Sequence, residues 1–271
     1  MSTVLLISGP PGCGKTSWIL NQLQAHKGPC SYLRLEGFAT GELQQAPDGG
    51  IDRAFLVDQC PGLLDLAPSD QAPSDQAPSG QDPAGRPQDL LALIELPQWQ
   101  PPPQAGLQGI DPRLLPRLEA LQLLPQRHLH FGRDADLPAQ DTLQFNALEC
   151  WSLDLTRSVW DPPSLNSFWF ELVNGAYGDV YRAKALMNLP DGRSFYCNWI
   201  VSQEGSQFLP LEAVAPPEGR PQRLSRLVVQ GKRLDAAGLE ATIADALLSD
   251  AVLELQQAPQ RSGGAPLPAT R

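Results

Sequence analysis

Basic residues are scarce in this chain. Twenty lysines and arginines stand against thirty aspartates and glutamates, a net charge of −10. That balance argues against nucleic acid as the default partner, because neutralising a phosphate backbone needs clustered Lys and Arg. Cysteine is scarce as well. Cys13, Cys30, Cys60, Cys150 and Cys197 are odd in number and widely scattered. That excludes a disulfide framework and points to a reduced, cytoplasmic setting. No window approaches about 18 uninterrupted apolar residues, so no spanning helix and no membrane partner are expected. The opening MSTVLLISGPPG lacks a basic n-region, and its apolar run is too short for an export signal.

Proline, by contrast, is abundant. Its 28 residues are about twice the usual share, which places part of the chain in loops or linkers. The length of 271 residues suggests two domains at about 150 residues each. Residues 67–81 read APSDQ-APSDQ-APSGQ, with almost nothing to bury, and 67–87 is expected to be a disordered insertion. The tail 256–271 is expected to be disordered too.

Val4 to Ile7 form a short apolar run of the kind that makes a buried parallel strand. GPPGCGKT follows at 9–16, and then Trp18, Ile19, Leu20 and Leu23 at helical spacing. SYLRLE (31–36) and AFLVD (54–58) read as strands, DLLALIELP (89–97) as a strand ending in an acid, residues 111–124 as a helix and HLHF (128–131) as a strand. This alternation predicts an α/β fold with a mainly parallel sheet over 1–150. Beyond it, residues 164–173 suit a helix, GDVYRAKALMNL (178–189) and SFYCNWIV alternate as strands, and two more strands are expected at QFLPLEAV and RLSRLVVQG. Asp235 is placed to cap a last helix carrying Leu239, Ile243 and Leu247 on one face. This is the pattern of a small α+β domain over 151–255.

GPPGCGKT fits the G-x-x-x-x-G-K-[ST] phosphate loop, and it lies between an expected strand and an expected helix, the context that motif requires. Gly9, Gly12 and Gly14 permit the strained turn whose N–H groups face phosphate oxygens. The helix N-terminus adds partial positive charge. Lys15 supplies charge for the β- and γ-phosphates, and the Thr16 hydroxyl can ligate Mg²⁺. Together with Cys13 and Ser17 these residues are the candidate nucleotide contacts. Two acids at expected strand ends, Asp58 and Glu95, can hold a metal-bound water or orient the attacking one. Glu95 is preferred, since its strand is the most uniformly apolar and therefore central.

YGDVYRAKALMNLPDG (177–192) and LVVQGKRLDAAGLEATIADALL (227–248) resemble the C-terminal domain of the CobW-like GTPases, a family linked to metal and cobalamin handling. LEGFATG (35–41), GGID (49–52) and IELPQ (94–98) resemble segments that follow the phosphate loop there. The resemblance implies Mg²⁺ with GTP, with Lys15 and Thr16 on phosphate and metal and Glu36 and Glu95 as acids facing the γ-phosphate and the ion. The chain departs from that pattern in three ways. Cys60 stands alone where the family has C-x-C-C, too few soft ligands for Zn²⁺ or Co²⁺. Gln98 replaces the glycine of E-x-x-G. The N-K-x-D guanine motif has only an echo in Arg133-Asp134-Ala135-Asp136, where Asp136 would read guanine. The interval from Glu95 to Arg133 is short for the family, as if an element of the sheet were lost.

The expected function is therefore nucleotide binding with slow GTP hydrolysis, the C-terminal domain relaying nucleotide state to a client or partner protein. An ATP-dependent kinase or ATPase and a nucleotide-bound adaptor without turnover are the alternatives. No helix-flanked, Arg-rich lid segment of the small-kinase kind lies near the first 100 residues, and no Asp-Glu pair of the AAA+ kind follows an apolar strand. His128 and His130 share a strand face and are expected to be a sheet-surface pair. Arg220, Arg223, Arg226, Lys232 and Arg233 form the sole basic run, read as a solvated edge or as a surface for phosphates or the acidic first domain. Trp151, Trp160, Trp169 and Trp199 are expected in packing.

Because loop-closure cost grows only slowly with length, deleting 67–81 is expected to leave melting temperature and nucleotide affinity nearly unchanged. Thermal melts and titrations of the deletion variant check this. A drop of many degrees would show that the repeats are packed.

Overall fold

The computed structural model describes residues 2–35, 50–65, 87, 89–99, 101–102, 104, 106–135 and 148–262. Apart from Pro87, the repeat insertion lies outside them. The chain divides into two compact units, Met1–Ala46 with Gln59–Asn146, and Pro47–Asp58 with Ala147–Arg271. The fold class is α/β for the first, with a mainly antiparallel second sheet in the other.

In the first unit β1 (Thr3–Ser8), β2 (Cys30–Arg34), β3 (Leu91–Glu95) and β4 (Arg127–His130) form a parallel sheet in the order β2-β3-β1-β4. The two inner strands are the apolar ones. β3 is buried at every position, as a strand covered on both faces must be. Helix α1 (Lys15–Ala25) buries Ile19 and Leu23. Val4, Leu6, Ala92 and Ile94 pack with Ile110, Leu114, Leu118 and Leu123. Between β3 and β4 lie two short 3₁₀ turns and the six-residue α3 (Leu115–Ala120). Residues 111–124 thus make a broken helix, with Pro112 and Pro116 each near the start of a short piece.

AFLVD is not a strand. It belongs to α2 (Ile51–Gln59), whose buried residues Ile51, Asp52, Phe55 and Leu56 fall at helical spacing while Val57 is exposed. Four apolar residues in a row fit either period, and the burial of Ile51 and Asp52 one turn earlier decides for the helix.

In the second unit β5 (Glu149–Asp154), β6 (Asp179–Asn188), β7 (Ser194–Ile200), β8 (Gln207–Pro210) and β9 (Arg226–Lys232) form an antiparallel sheet in the order β5-β9-β6-β7-β8. One face packs on α4 (Pro162–Val173) and α5 (Ala236–Ala246) through Phe168, Trp169, Leu172, Leu239 and Ile243 against Ala183, Ala185, Met187, Leu227 and Val229. All four tryptophans belong to or pack against this core. Asp161 and Asp235 cap the two helices, accepting from the Ser164 and Gly238 backbone N–H groups. A bulge between Val180 and Arg182 turns Val180 into the core, and the core-facing alternation resumes at Ala183, Ala185 and Met187.

The segments 177–181 and 231–235 meet at one end of this sheet. Asp179 pairs with Lys232, and the Asp235 N–H donates to the Tyr177 carbonyl at 3.0 Å. A Cβ on Gly178 would lie 2.4 Å from the Arg233 carbonyl oxygen, and its φ of +109° is one that glycine tolerates. The four arginines of the basic run are engaged within the unit. Arg220 pairs with Asp250, Arg226 with Asp154 and Arg233 with Asp179, while Arg223 donates to Asn188 and to the Ala213 and Gly192 carbonyls. The disordered tail expected from Gln256 is corrected up to residue 262, because α6 (Asp250–Ser262) continues through it. Its anchor is the buried Gln257 amide, bonded to Pro190 O and to both backbone groups of Gly219. Residues 263–271 lie outside the described residues.

Helix α2 packs on the other face of the second sheet. Lys184 Nζ donates to Asp52 Oδ1 at 2.5 Å, both side chains 4% exposed or less. The Tyr196 hydroxyl reaches the same oxygen at 3.3 Å, and its ring stacks on Phe55 at 4.3 Å. Asp58 caps this contact by accepting from the Glu212 and Ala213 N–H groups at 2.7 and 2.9 Å. Removing one partner of a buried pair strands the other charge, so Asp52→Ala is expected to cost about 3–5 kcal/mol. Replacing both partners by Asp52→Leu with Lys184→Met should recover most of it. Denaturant unfolding of the single and double variants checks this; equal losses in both would show that packing, not charge, sets the cost.

Candidate functional site

Strand β1 ends at Ser8 and the phosphate-loop segment begins at once. Gly9, Gly12 and Gly14 all have positive φ, at +142°, +81° and +89°. Gly9 is also a steric necessity: a Cβ there would lie 2.7 Å from the Phe131 Cβ, just past the end of β4. Gly14 precedes α1 in the left-handed region, and no side chain caps the helix. Its first N–H groups stay within reach of an anion.

Lys15 is folded back on its own loop. Its Nζ donates to the carbonyls of Gly9 and Pro10 at 2.9 and 2.8 Å, and lies 3.7 Å from Cys13 Sγ and 3.8 Å from Glu95 Oε1. Burial raises the Cys13 thiol pKa, against the opposing pull of the Lys15 charge. Cys13 is therefore a neutral packing residue of the loop.

Glu95, at the carboxyl end of β3, is 4% exposed. Its Oε2 accepts from the Tyr32 hydroxyl at 2.8 Å, and its Oε1 lies 3.9 Å from Arg34 Nη1. The parallel register sets this, with Tyr32 opposite Leu93 and Arg34 opposite Glu95. Sequence reasoning missed Tyr32 and Arg34. The signal was there, as alternate residues of SYLRLE on a strand bordering the acid-ended one. The other strand-end candidate, Asp58, is corrected: it lies on α2 in the second unit, engaged as described above.

Gln98 is 8% exposed and points into the loop that follows it. Its amide donates to Gly109 O at 2.8 Å and accepts from the Asp111 N–H at 3.1 Å. Its own carbonyl accepts the Gly9 N–H at 3.0 Å, so it braces the start of the phosphate loop. Arg133 and Asp134 are likewise committed. They pair with each other, Arg133 also donates to Gln104 O, and Asp134 accepts the His130 N–H at 2.9 Å. The Arg133 hydrogen bond holds the Asp134 carboxyl down at about 2. Glu36 and Asp136 lie outside the described residues. Thr16 and Ser17 open α1 beside Lys15. Among the described residues no three His, Cys, Asp or Glu side chains converge on a metal position, and no helix is long and apolar enough to cross a membrane.

His128 and His130 are not on the surface. They are 3% and 0% exposed, and Ser8 Oγ bridges His128 Nε2 and His130 Nδ1 at 2.7 Å each. Ser8, on adjacent β1, joins the pair, a contact that a strand-face argument from β4 alone could not reveal. Burial drives His130 down to about 4, helped by the charges of His128, Arg133 and Lys15 against Asp134. His128 is lowered for the same first reason.

No protein-family model and no curated protein matches the chain. Among solved structures, the zinc-bound YjiA GTPase of E. coli overlaps 91% of this chain and 98% of its own, at 12% identity and a TM-score of 0.31. A zinc-bound triple mutant of YjiA GTPase overlaps 91% and 99%, at 10% identity and 0.32.

The histidines make the first unit acid-sensitive. A folded pKa of about 4 for His130 against about 6.5 unfolded means the unfolded chain binds the extra proton first. Stability is therefore full above about pH 6.5 and is lost as pH falls toward 4, by on the order of 2–3 kcal/mol. Denaturant midpoints measured from pH 7.5 to 4.5 check this, and His130→Gln is expected to flatten the slope.

Proposed function

We propose that the first unit binds a nucleoside triphosphate in the loop 9–16 and hydrolyses it slowly, with guanine preferred, and that the second unit passes the nucleotide state to a protein partner. The observation that carries the reading is the glycine turn between β1 and α1. Its lysine rests on the loop's own carbonyls while facing a buried, doubly braced carboxylate. An incoming phosphate chain would offer Lys15 better acceptors than Gly9 O and Pro10 O, and charge-assisted bonds at that.

Glu95 is preorganised for the water or metal side of the site. Tyr32 holds one oxygen, while Lys15 and Arg34 draw the other, so little reorganisation remains for the reaction itself. Thr16 and Glu95 supply a hydroxyl and a carboxylate, hard donors that suit Mg²⁺, with Glu36 added by resemblance. Mg²⁺, bound with the nucleotide, would supply charge neutralisation between the phosphates. Arg34, beside Glu95 Oε1, would oppose charge that develops on the transferred group. No covalent intermediate is needed, since positioning and charge stabilisation suffice.

The guanine preference rests on Asp136, in the chain beyond β4. A carboxylate there would accept from guanine N1–H and the 2-amino group, donors that adenine lacks. The relay rests on connectivity. From β2 the chain runs through Glu36 into α2, which the Asp52–Lys184 pair holds to the second unit. An adaptor without turnover is the competing reading, favoured by Gln98 in place of a glycine.

Calorimetric titration of purified protein with Mg–GTP and Mg–ATP, followed by phosphate-release assays, tests this. Lys15→Ala is expected to weaken both by roughly 10- to 150-fold, the value of one charge-assisted contact. Asp136→Ala should flatten the GTP preference while sparing phosphate contacts. Undiminished binding by Lys15→Ala overturns the phosphate-loop reading. Equal affinities in the parent overturn the guanine reading, and binding without phosphate release selects the adaptor.

A further inference from the structure

Three side chains at the root of the phosphate loop play no part in the function proposed above. Ser8 is the last residue of β1 and is followed directly by Gly9. It stands opposite His130 in the β1–β4 register, and its hydroxyl lies 2.7 Å from one nitrogen of His128 and 2.7 Å from one of His130. All three residues are at most 3% exposed. His130 Nε2 has no hydrogen-bond partner among the described residues.

A proton count shows what such a trio can do. Two neutral imidazoles carry one N–H each, and serine carries one O–H. The hydroxyl donates to one ring and accepts from the other, so its two contacts use the O–H and one N–H. One ring nitrogen facing away from the hydroxyl then keeps an N–H and the other is bare. The trio therefore takes up one proton at the bare nitrogen without breaking any hydrogen bond. What opposes uptake is burial and the surrounding cations. Lys15 on α1 and Arg133 in the turn after β4 repel a charged ring, and Asp134 in that turn attracts it.

We infer that Ser8, His128 and His130 form a buried one-proton acceptor beneath the phosphate loop, and that filling the loop with nucleotide phosphates is coupled to uptake of that proton. Lys15 links the two events. In the free protein its charge is only partly offset by Glu95, and it bears on His130. A bound phosphate chain brings several negative charges to Lys15, cancelling its repulsion and favouring the charged ring. By reciprocity, protonating the trio tightens phosphate binding. The inference rests on the phosphate-loop reading and adds a proton to it: nucleotide affinity should strengthen as pH falls below 7, beyond what the nucleotide's own ionisation explains.

The test is NMR titration of the histidine rings of the full chain from pH 8 to 5.5, alone and with saturating Mg–GDP or Mg–ADP. Only three histidines occur, and His128→Gln and His130→Gln assign them. Without nucleotide the buried rings should stay neutral throughout. With nucleotide, one should begin to charge within the window, its midpoint raised by about one pH unit or more. Calorimetry in buffers of different ionisation heat should then give a net proton uptake at pH 5.5 that falls in His130→Gln. Binding of either nucleotide with no change in the buried rings overturns the inference and leaves the phosphate loop standing. Binding of neither overturns the phosphate-loop reading and the inference with it. Where a variant fails to fold, the parent's ring titration decides alone.

Discussion

β1 is hydrogen-bonded along both edges, to β3 on one side and β4 on the other. That double pairing is the constraint on which the candidate site depends. It fixes where the chain leaves the sheet, and so where Gly9 must turn. It sets Glu95 on one flank of the loop and His130 on the other, each at the end of a strand in fixed register. Gly9 N–H is held by Gln98 O, from the chain after β3, and Phe131 after β4 leaves no room for a side chain on Gly9. The loop is thus clamped from both neighbours, which is how the surrounding structure holds a strained turn in place.

The second unit follows a different logic. Its sheet is covered by α4 and α5 on one face with apolar contacts, and by α2 on the other with a charge pair. A buried ion pair contributes little net stability, because desolvation offsets most of the attraction. What it imposes is a partner requirement, since either charge buried alone would be costly. Lys184 sits among buried neighbours, and an acid at one position of one helix satisfies it. That requirement selects the seat of α2, and Tyr196 and Asp58 reinforce it from either side. The motif residues of 177–181 and 231–235 do similar work at the sheet's end, where Gly178 permits a close backbone approach and Asp235 starts α5. These motifs are therefore structural.

Much of this was legible from residues alone. β1, the glycine loop and α1 were, because a positive-φ turn, an apolar strand and a helix start are local properties. So were β3 as an inner strand and the capping role of Asp235. AFLVD was misread because four apolar residues in succession carry no period, and the buried residues that settle it lie just before them. Gln256 to Ser262 were misread because a polar, Pro-containing stretch resembles a tail until Gln257 is found between Pro190 and Gly219. Tyr32 and Arg34 were missed because their value lies in facing Glu95, 63 residues from Tyr32.

By itself the sequence determined the elements whose cause is local: which residues bend, which repeat with a strand or helix period, and which loop can cradle an anion. Only the tertiary structure decided the meetings between distant residues. Ser8 joins His128 and His130 across 120 and 122 positions, and Asp52 joins Lys184 across 132. Such contacts depend on strand register and helix seating, which emerge when the whole core closes and leave no signature in any short window of residues. A pair of histidines on one strand looks the same in sequence whether it faces water or a buried partner, and here the partner is Ser8 of β1.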